Sequence, residues 1–370
     1  MEKRVGKKEK WSLSKKAGKQ ALICSAMVLI CLLIGCGLRI DKPGQSYNDT
    51  AEKKDSDSLA AENYITVGFS QLGAESDWRS ANTESMLGTF TKENGYDLEY
   101  KNGQQKQSNQ ITAIRMFIQQ EVDYILLAPA TEDGWDSVLG EAREAGIPVI
   151  LVDRMVNTSD KNLYSCWVGS DFELESKKVT AWIKAYTESK NIDPADLHIV
   201  NIQGSIGSTA QLGRSRGLAN AARDNGWDLM AEVSGDFTET KAREVMEALL
   251  KRFDNINVVY CENDNEAIGA ISALESAGKK VGSDIANGEI MVVSFDGVNE
   301  KALAYAREGK IACIAECNPL HGPRVEALIE AIERGETPDK FNYVDEKIYS
   351  YIDDISQITV DDVTYDVEKP

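Results

Sequence analysis

Two carboxylates, an indole and a guanidinium fall within one short stretch, Gly68-Phe69-Ser70-Gln71-Leu72-Gly73-Ala74-Glu75-Ser76-Asp77-Trp78-Arg79. That mixture suits a small polyol, because hydroxyl groups need donors and acceptors together and the indole offers an apolar face. A phosphate loop would be rich in glycine and carry a lysine, which this stretch does not. The apolar run Ile65 to Phe69 reads as a buried strand, and a helical pattern follows to about Asn94. The stretch therefore stands at the carboxyl end of a strand, where open α/β sheets bind ligands.

The same chemistry recurs at later strand ends. Pro129-Ala130-Thr131 and Asp153-Arg154 follow two apolar runs in the first half, and Gln203-Gly204, Gly235-Asp236-Phe237, Glu262-Asn263-Asp264, Asp296-Gly297 and Glu316-Cys317-Asn318 follow runs in the second. Amino ends show no such bias. One Asp or Asn at a strand end is an ordinary turn former or helix cap. Recurrence across both halves is what points to a hydroxyl-rich ligand.

The elements that must position these residues are a repeated alternation of apolar runs and amphipathic helices. Strands are expected at Ile65 to Phe69, Leu98 to Tyr100, Tyr124 to Ala128, Val149 to Val152, Leu197 to Ile202, Leu229 to Val233, Val258 to Cys261, Ile290 to Phe295 and Ile311 to Ala315. Stretches such as Asn109 to Gln120 and Lys241 to Phe253 carry apolar residues at helical spacing. Alternation of this kind implies an α/β fold with mostly parallel, doubly wound sheets. A polar interruption around Gly169 to Glu175 favours two lobes over one large sheet.

The chain has 370 residues and a formal net charge of −19. Lys3, Arg4, Lys7, Lys8, Lys10, Lys15, Lys16 and Lys19 against Glu2 and Glu9 give the first twenty residues +6. An uncharged apolar run of 15 residues, Ala21 to Gly35, follows. It is short for a membrane span, which needs roughly 20 residues, and fits the apolar core of an export signal. Residues 37 to 63, rich in Asp, Lys, Ser and Gly, have the composition of a tether. Removing the +6 from −19 leaves −25, which argues against nucleic acid as a partner. Cys166, Cys261, Cys313 and Cys317 read as small buried thiols, although a pairing other than Cys313 with Cys317 stays open. Those two, placed in one strand, would stand about 13 Å apart. No CxxC spacing occurs and only His198 and His321 are present, so no metal site is expected. His198 reads as a core residue.

Leu33-Ile34-Gly35-Cys36 resembles the lipobox of bacterial lipoproteins, with Cys36 as the lipidated residue. From about Asn63 to Ile355 the chain resembles the type I periplasmic sugar-binding proteins of ABC importers, and within them the galactofuranose-binding branch. The residues carrying this are Gly68-Phe69-Ser70-Gln71, Glu75-Ser76 with Trp78-Arg79, Asn102-Gly103-Gln104-Gln105-Lys106-Gln107, Val152-Asp153-Arg154, Ser234-Gly235-Asp236-Phe237-Thr238, Glu262-Asn263-Asp264 and Asp296-Gly297-Val298. The resemblance implies two Rossmann-like lobes joined by three hinge crossings near Asp171, Asn318 and Lys347. Its boundaries are a signal at 1–35, a tether at 36–63, a first lobe of 64–171 plus 318–346, and a second of 172–317 plus 347–370.

Family roles fall on Asp153 and Arg154 in the first lobe and on Arg214, Asn263 and Asp296 in the second, with Glu316 at the last crossing. Glu75, Ser76, Trp78, Arg79 and Phe237 are further candidate contacts. Ordinary alternatives stand beside them: an Asp153–Arg154 loop pair, an Arg79–Glu75 pair on one helical turn, a salt bridge for Arg214, and a helix staple for Phe237. Asp264 reads as the cap of the next helix, Trp135 as core, and Trp167 as a cleft or hinge residue. Asp77, Glu262 and Cys166 depart from the family pattern.

The function implied is a monomeric, lipid-anchored receptor on the outer face of the membrane. It would pass a monosaccharide, galactofuranose or a related furanose or galactose, to an ABC permease without a cofactor. A sugar sensor that presents its closed form to a histidine kinase or chemoreceptor is the alternative. An enzyme is disfavoured, since no nucleophile elbow, phosphate loop or dinucleotide fingerprint occurs.

Overall fold

The computed structural model describes residues 64–369. The expected signal, the Cys36 lipidation site and the tether lie outside the described residues. The first part of the chain runs β1 (Ile65–Gln71), α1 (Asp77–Thr89), β2 (Tyr96–Asn102), α2 (Gln107–Gln119), β3 (Tyr124–Leu127), α3 (Asp136–Glu144), β4 (Val149–Val152) and β5 (Cys166–Gly169). It continues through α4 (Phe172–Ser189), β6 (His198–Gln203), α5 (Thr209–Asn225), β7 (Asp228–Ser234), α6 (Glu239–Arg252), β8 (Val258–Cys261), α7 (Asp264–Ser276) and β9 (Lys280–Val281). The last part is β10 (Glu289–Asp296), α8 (Glu300–Arg307), β11 (Cys313–Glu316), α9 (Gly322–Glu333), β12 (Phe341–Tyr343), β13 (Ile348–Tyr349), β14 (Gln357–Val360) and β15 (Val363–Glu368).

Two sheets organise these elements. The first has the order β12-β5-β4-β3-β1-β2 and is parallel throughout. The second has the order β14-β15-β13-β11-β10-β8-β6-β7, with β9 against β10, and its antiparallel pairs are confined to the β11, β13, β14 and β15 edge. Strands β3, β4 and β8 are buried at every residue, as expected of strands covered by helices on both faces. Alternate residues of β8 show the double winding: Val259 and Cys261 join the core under α6 and α7, whereas Val258 and Tyr260 join the core under α4 and α5.

The strand order places the candidate residues. In the first sheet β2 and β3 flank β1, and in the second β7 and β8 flank β6, so each sheet has a switch point with a crevice at its carboxyl ends. The chain crosses between the sheets after β5, after β11 and between β12 and β13, three connections in all. Helix α9 lies after the second connection yet packs Val325 and Ile329 into the first lobe's core.

Three sequence readings are corrected here. Strand β5 was not anticipated, because four residues of Cys-Trp-Val-Gly between a polar loop and a polar turn carry no period. The strands β9 and β12 to β15 were not anticipated either. His198 is not a core residue: it stands partly exposed at the start of β6, its Nδ1 3.1 Å from Asp228 Oδ2. Cys166, Cys261, Cys313 and Cys317 are all buried free thiols.

Candidate ligand-binding cleft

The first wall of the cleft starts where β1 ends. After β1 ends at Gln71, a short loop leads to Ser76, which caps α1 by accepting the Arg79 N–H at 3.2 Å. Trp78 is buried and donates its Nε1–H to the Cys317 carbonyl at 2.6 Å. Arg79 bridges Glu75 at 3.1 Å and Asp153 at 2.5 Å and lies over the Trp78 ring at 4.7 Å. Arg154 reaches Glu75 at 3.3 Å and donates to the Ala130 carbonyl at 3.3 Å. Asp153 and Arg154 are thus not a loop pair: Asp153 reaches Arg79 in the first turn of α1, and Arg154 reaches Glu75 in the loop after β1.

Asp153 holds a left-handed backbone, φ +65°. Its N–H donates to Val168 O at 2.8 Å and its carbonyl accepts the Trp167 Nε1–H at 2.9 Å. Trp167 is therefore a buried strand residue that fixes the backbone of Asp153. Burial works against the charge of Arg79, but Asp153 and Glu75 outweigh it and hold the guanidinium far above its ordinary range. At Arg154 burial prevails over the attraction of Glu75, and its affinity for its proton is lowered.

The second wall centres on Arg214 of α5, only 2% exposed. It pairs with Glu175 at 2.8 Å and Asp296 at 3.3 Å, donates to the Glu262 carbonyl, and lies 4.7 Å from the Phe295 ring centroid. Burial pushes the Asp296 carboxyl well above the usual range although Arg214 pulls it down. Asn263, not Asp264, caps α7: its Oδ1 accepts Glu266 N–H at 2.8 Å. Asp264 instead accepts Ser294 Oγ and the N–H groups of Val298 and Asn299, fixing the turn after Asp296. This corrects the reading of Asp264 as the cap; both residue types cap helices well, so residue type alone does not separate the two neighbours.

Behind this wall, Glu262 is fully buried and accepts from Gly204, Ser215 and Asn201. Burial pushes its pKa up to about 7 despite those bonds. A carboxyl whose folded pKa is raised destabilises progressively as pH climbs from its unfolded value of 4.5 through that figure. Unfolding free energies of the wild type and Glu262→Gln, compared from pH 4.5 to 8, are expected to shift against the wild type by about 3 kcal/mol. A difference independent of pH would refute this.

Glu75, Ser76, Trp78, Arg79, Asp153, Arg154, Arg214, Phe237, Asn263 and Asp296 all line one narrow cleft. Glu316 does not: its oxygens accept from Asn318 Nδ2 at 3.1 Å and Lys347 N–H at 3.0 Å, tying two crossings together. Phe172, Ala210 and Cys317 complete the lining and were missed. The first two are apolar or small and announce no chemistry, and Cys317 was grouped with the core thiols. Three buried polar atoms of the first wall have no protein partner, namely Glu75 Oε2, Arg79 Nη1 and Arg154 Nε. Two donors and an acceptor side by side are what hydroxyls need.

Beside the cleft, one buried group drawn from the three crossings brings metal-type donors within 4.8 Å of one another: Glu175, Cys317 and Glu346. Glu346 accepts from Ser170 Oγ at 2.6 Å and Asn318 N–H at 2.7 Å, and Glu175 accepts from Arg214 through Oε2 while its Oε1 has no hydrogen-bond partner. At the rim, Asp77 Oδ2 accepts Nδ2 of Asn265 at 3.1 Å and Nδ2 of Asn299, linking the lobes without lining the cleft. Asp77→Ala is expected to weaken every bound sugar by the same factor, roughly fivefold, the worth of about 1 kcal/mol. Titrations with two sugars check this; a changed ratio between them contradicts it.

Residues 67–355 match the model of the periplasmic binding protein domain family. The chain is 37% identical over 297 residues to the galactofuranose-binding protein YtfQ of Escherichia coli, covering 79% of this chain and 90% of that protein. A Mycobacterium smegmatis protein solved in complex with β-D-fucofuranose superposes with a TM-score of 0.72 at 37% identity, covering 78% of this chain and 92% of that one. The binding protein component of the arabinose ABC transporter from Shewanella sp. ANA-3, bound to α- and β-L-arabinofuranose, gives 0.70 at 34% identity over 76% and 91%. These relatives are binding proteins, not enzymes. Two doubly wound lobes, three connections and a polar cleft between carboxyl ends agree with that match, and the chain belongs to the periplasmic binding protein family.

Proposed function

We propose that this protein captures a monosaccharide in furanose form, of the galactose type, and delivers it to the permease of an ABC importer. The observation that carries the reading is the convergence on one cleft of Arg79, Asp153 and Arg154 from one lobe with Arg214, Asn263 and Asp296 from the other. Charged groups form the stronger hydrogen bonds to hydroxyls, and a guanidinium fork spans two neighbouring oxygens. Trp78, Phe172 and Phe237 offer apolar faces for the ring's C–H groups. A sugar lacking one hydroxyl would leave a buried partner unsatisfied, at roughly 1 to 3 kcal/mol, and selectivity would follow.

The lobes would close by bending at the three connections, with the first lobe as 64–171 plus 318–346 and the second as 172–317 plus 347–370. The basic and apolar leader of residues 1–35, followed by Cys36, supports export and lipid anchoring outside the membrane. Uptake of labelled galactose by cells lacking this chain, and by cells in which it is restored, tests the importer role. Restored uptake is the expected result, and equal uptake in both would refute it. Cys36→Ser should move the protein from the membrane fraction to the medium; retention on the membrane would refute the anchor.

A further inference from the structure

Phe237 reaches the cleft through an unusual backbone. Asp236 and Phe237 are consecutive residues with φ +57° and +59°. The left-handed region disfavours any residue with a Cβ by roughly 1 to 2 kcal/mol, so something must hold this turn. Its ring lies against Gly204, where an added Cβ would stand 1.9 Å from Cζ, and 5.7 Å from Arg154 of the opposite lobe. The ring's place over the cleft is set by its peptide.

Two side chains from the start of α7 grip that peptide. Asn263 Nδ2 donates to the Phe237 carbonyl at 3.2 Å, and Glu266 Oε1 accepts the Phe237 N–H at 2.9 Å. Asn263 is the N-cap, so Glu266 occupies the third helical position, from which a Glu commonly reaches back to the N-cap's own N–H. Here that carboxyl is turned to Phe237. Glu266 is fully buried, its Oε2 has no protein partner, and it does not line the cleft.

We infer that Glu266 is a positioning residue for sugar recognition, acting by holding the Phe237 peptide so that its ring presents one fixed face to the ligand. This rests on the proposed ligand contact of Phe237. Glutamine keeps an acceptor oxygen where Glu266 Oε1 takes the Phe237 N–H, so it can reproduce that bond; burial pushes the Glu266 carboxyl well above the usual range. Gly235 marks the same contact: an added Cβ there would meet Glu266 Oε1 at 2.8 Å and Ile202 Cγ2 at 2.6 Å.

The test is calorimetric titration of the wild type, Phe237→Ala, Glu266→Ala, Glu266→Gln, Gly235→Ala and the Phe237→Ala/Glu266→Ala double variant with galactose, L-arabinose, fucose and ribose. Hydrogen exchange at the Phe237 amide is followed in parallel. Phe237→Ala is expected to weaken the tightest sugar about tenfold, and Glu266→Ala by a similar factor. Glu266→Gln should stay near wild type, and the double variant near Phe237→Ala alone. The Phe237 amide should lose protection in Glu266→Ala and keep it in Glu266→Gln. Additive losses in the double variant, or protection unchanged in Glu266→Ala, overturn the inference while leaving the proposed function standing. Unchanged binding by Phe237→Ala overturns the contact and the inference with it, and no binding by the wild type overturns the proposed function as well. Should Glu266→Ala not fold, Gly235→Ala carries the same comparison.

Discussion

Arg154→Ala is expected to lower sugar affinity by about tenfold to a hundredfold, the loss of one charge-assisted bond at ~1.5 to 3 kcal/mol, while the melting temperature hardly moves. The affinity loss follows from the free Nε of a buried guanidinium at the cleft wall. Stability is spared because Glu75 keeps its second cation, Arg79, at 3.1 Å. Removing Arg154 also relieves the repulsion between two buried arginines, which burial already makes unfavourable. Calorimetric titration together with a melting curve checks both halves. Unchanged affinity would show that Arg154 is structural, and a collapse of the fold would show that the Glu75 network needs both cations.

Arg214→Ala should act on stability as well as on binding. Arg214 is the cation shared by Glu175 and Asp296, and all three are nearly inaccessible to solvent. Deleting it leaves two buried carboxylates without a partner, which typically costs about 3 to 5 kcal/mol. The sign of the pH dependence follows. Burial already raises both carboxyls, and loss of Arg214 removes the strongest influence pulling them down. Groups with raised folded pKa values lose stability as pH rises. Urea unfolding of Arg214→Ala should therefore show a larger deficit at pH 8 than at pH 5. An equal deficit at both would mean that the loss is one of packing on Phe295 and Phe172 rather than of charge.

Much of the cleft was legible in the sequence because parallel strands covered on both faces read as unbroken apolar runs, so their polar ends stand out. Asp153, Arg154, Asn263 and Asp296 were found in this way. Asp153, Asp236, Phe237 and Asp296 also share positive φ, a strain that no composition reveals and that a ligand site commonly stores. What was not legible lies off the strand ends. Glu175 sits in the first turn of α4 and reads as a solvated helix acid, yet it is the partner of Arg214. Glu316 reads as one more strand-end acceptor, but the crossing to Lys347 turns it away. Glu266 carries no signal of its own at a strand end, and only the fold shows that its oxygen serves Phe237. Cys166-Trp167-Val168-Gly169 is too short to show a period, so the strand that pins Asp153 through Trp167 could not be found.

The asymmetry between the walls has a physical reading. On the first wall the charges form a chain, Arg154 to Glu75 to Arg79 to Asp153, whose outer atoms remain free. On the second wall Arg214 is enclosed by Glu175, Asp296 and two rings, with a carbonyl on its remaining nitrogen. The first wall is therefore the one prepared to donate to new partners, and the second the one prepared to stay rigid when the lobes meet.

The measurement that bears most directly on the central claim is calorimetric titration of the purified protein with galactose, L-arabinose, ribose, glucose and myo-inositol. Galactose should bind tightly at one site, with a heat that follows its furanose fraction as temperature shifts the ring equilibrium, while glucose and myo-inositol bind weakly. Absence of heat with every sugar, or binding that ignores ring form and survives Arg154→Ala, would contradict the assignment of this cleft to a furanose.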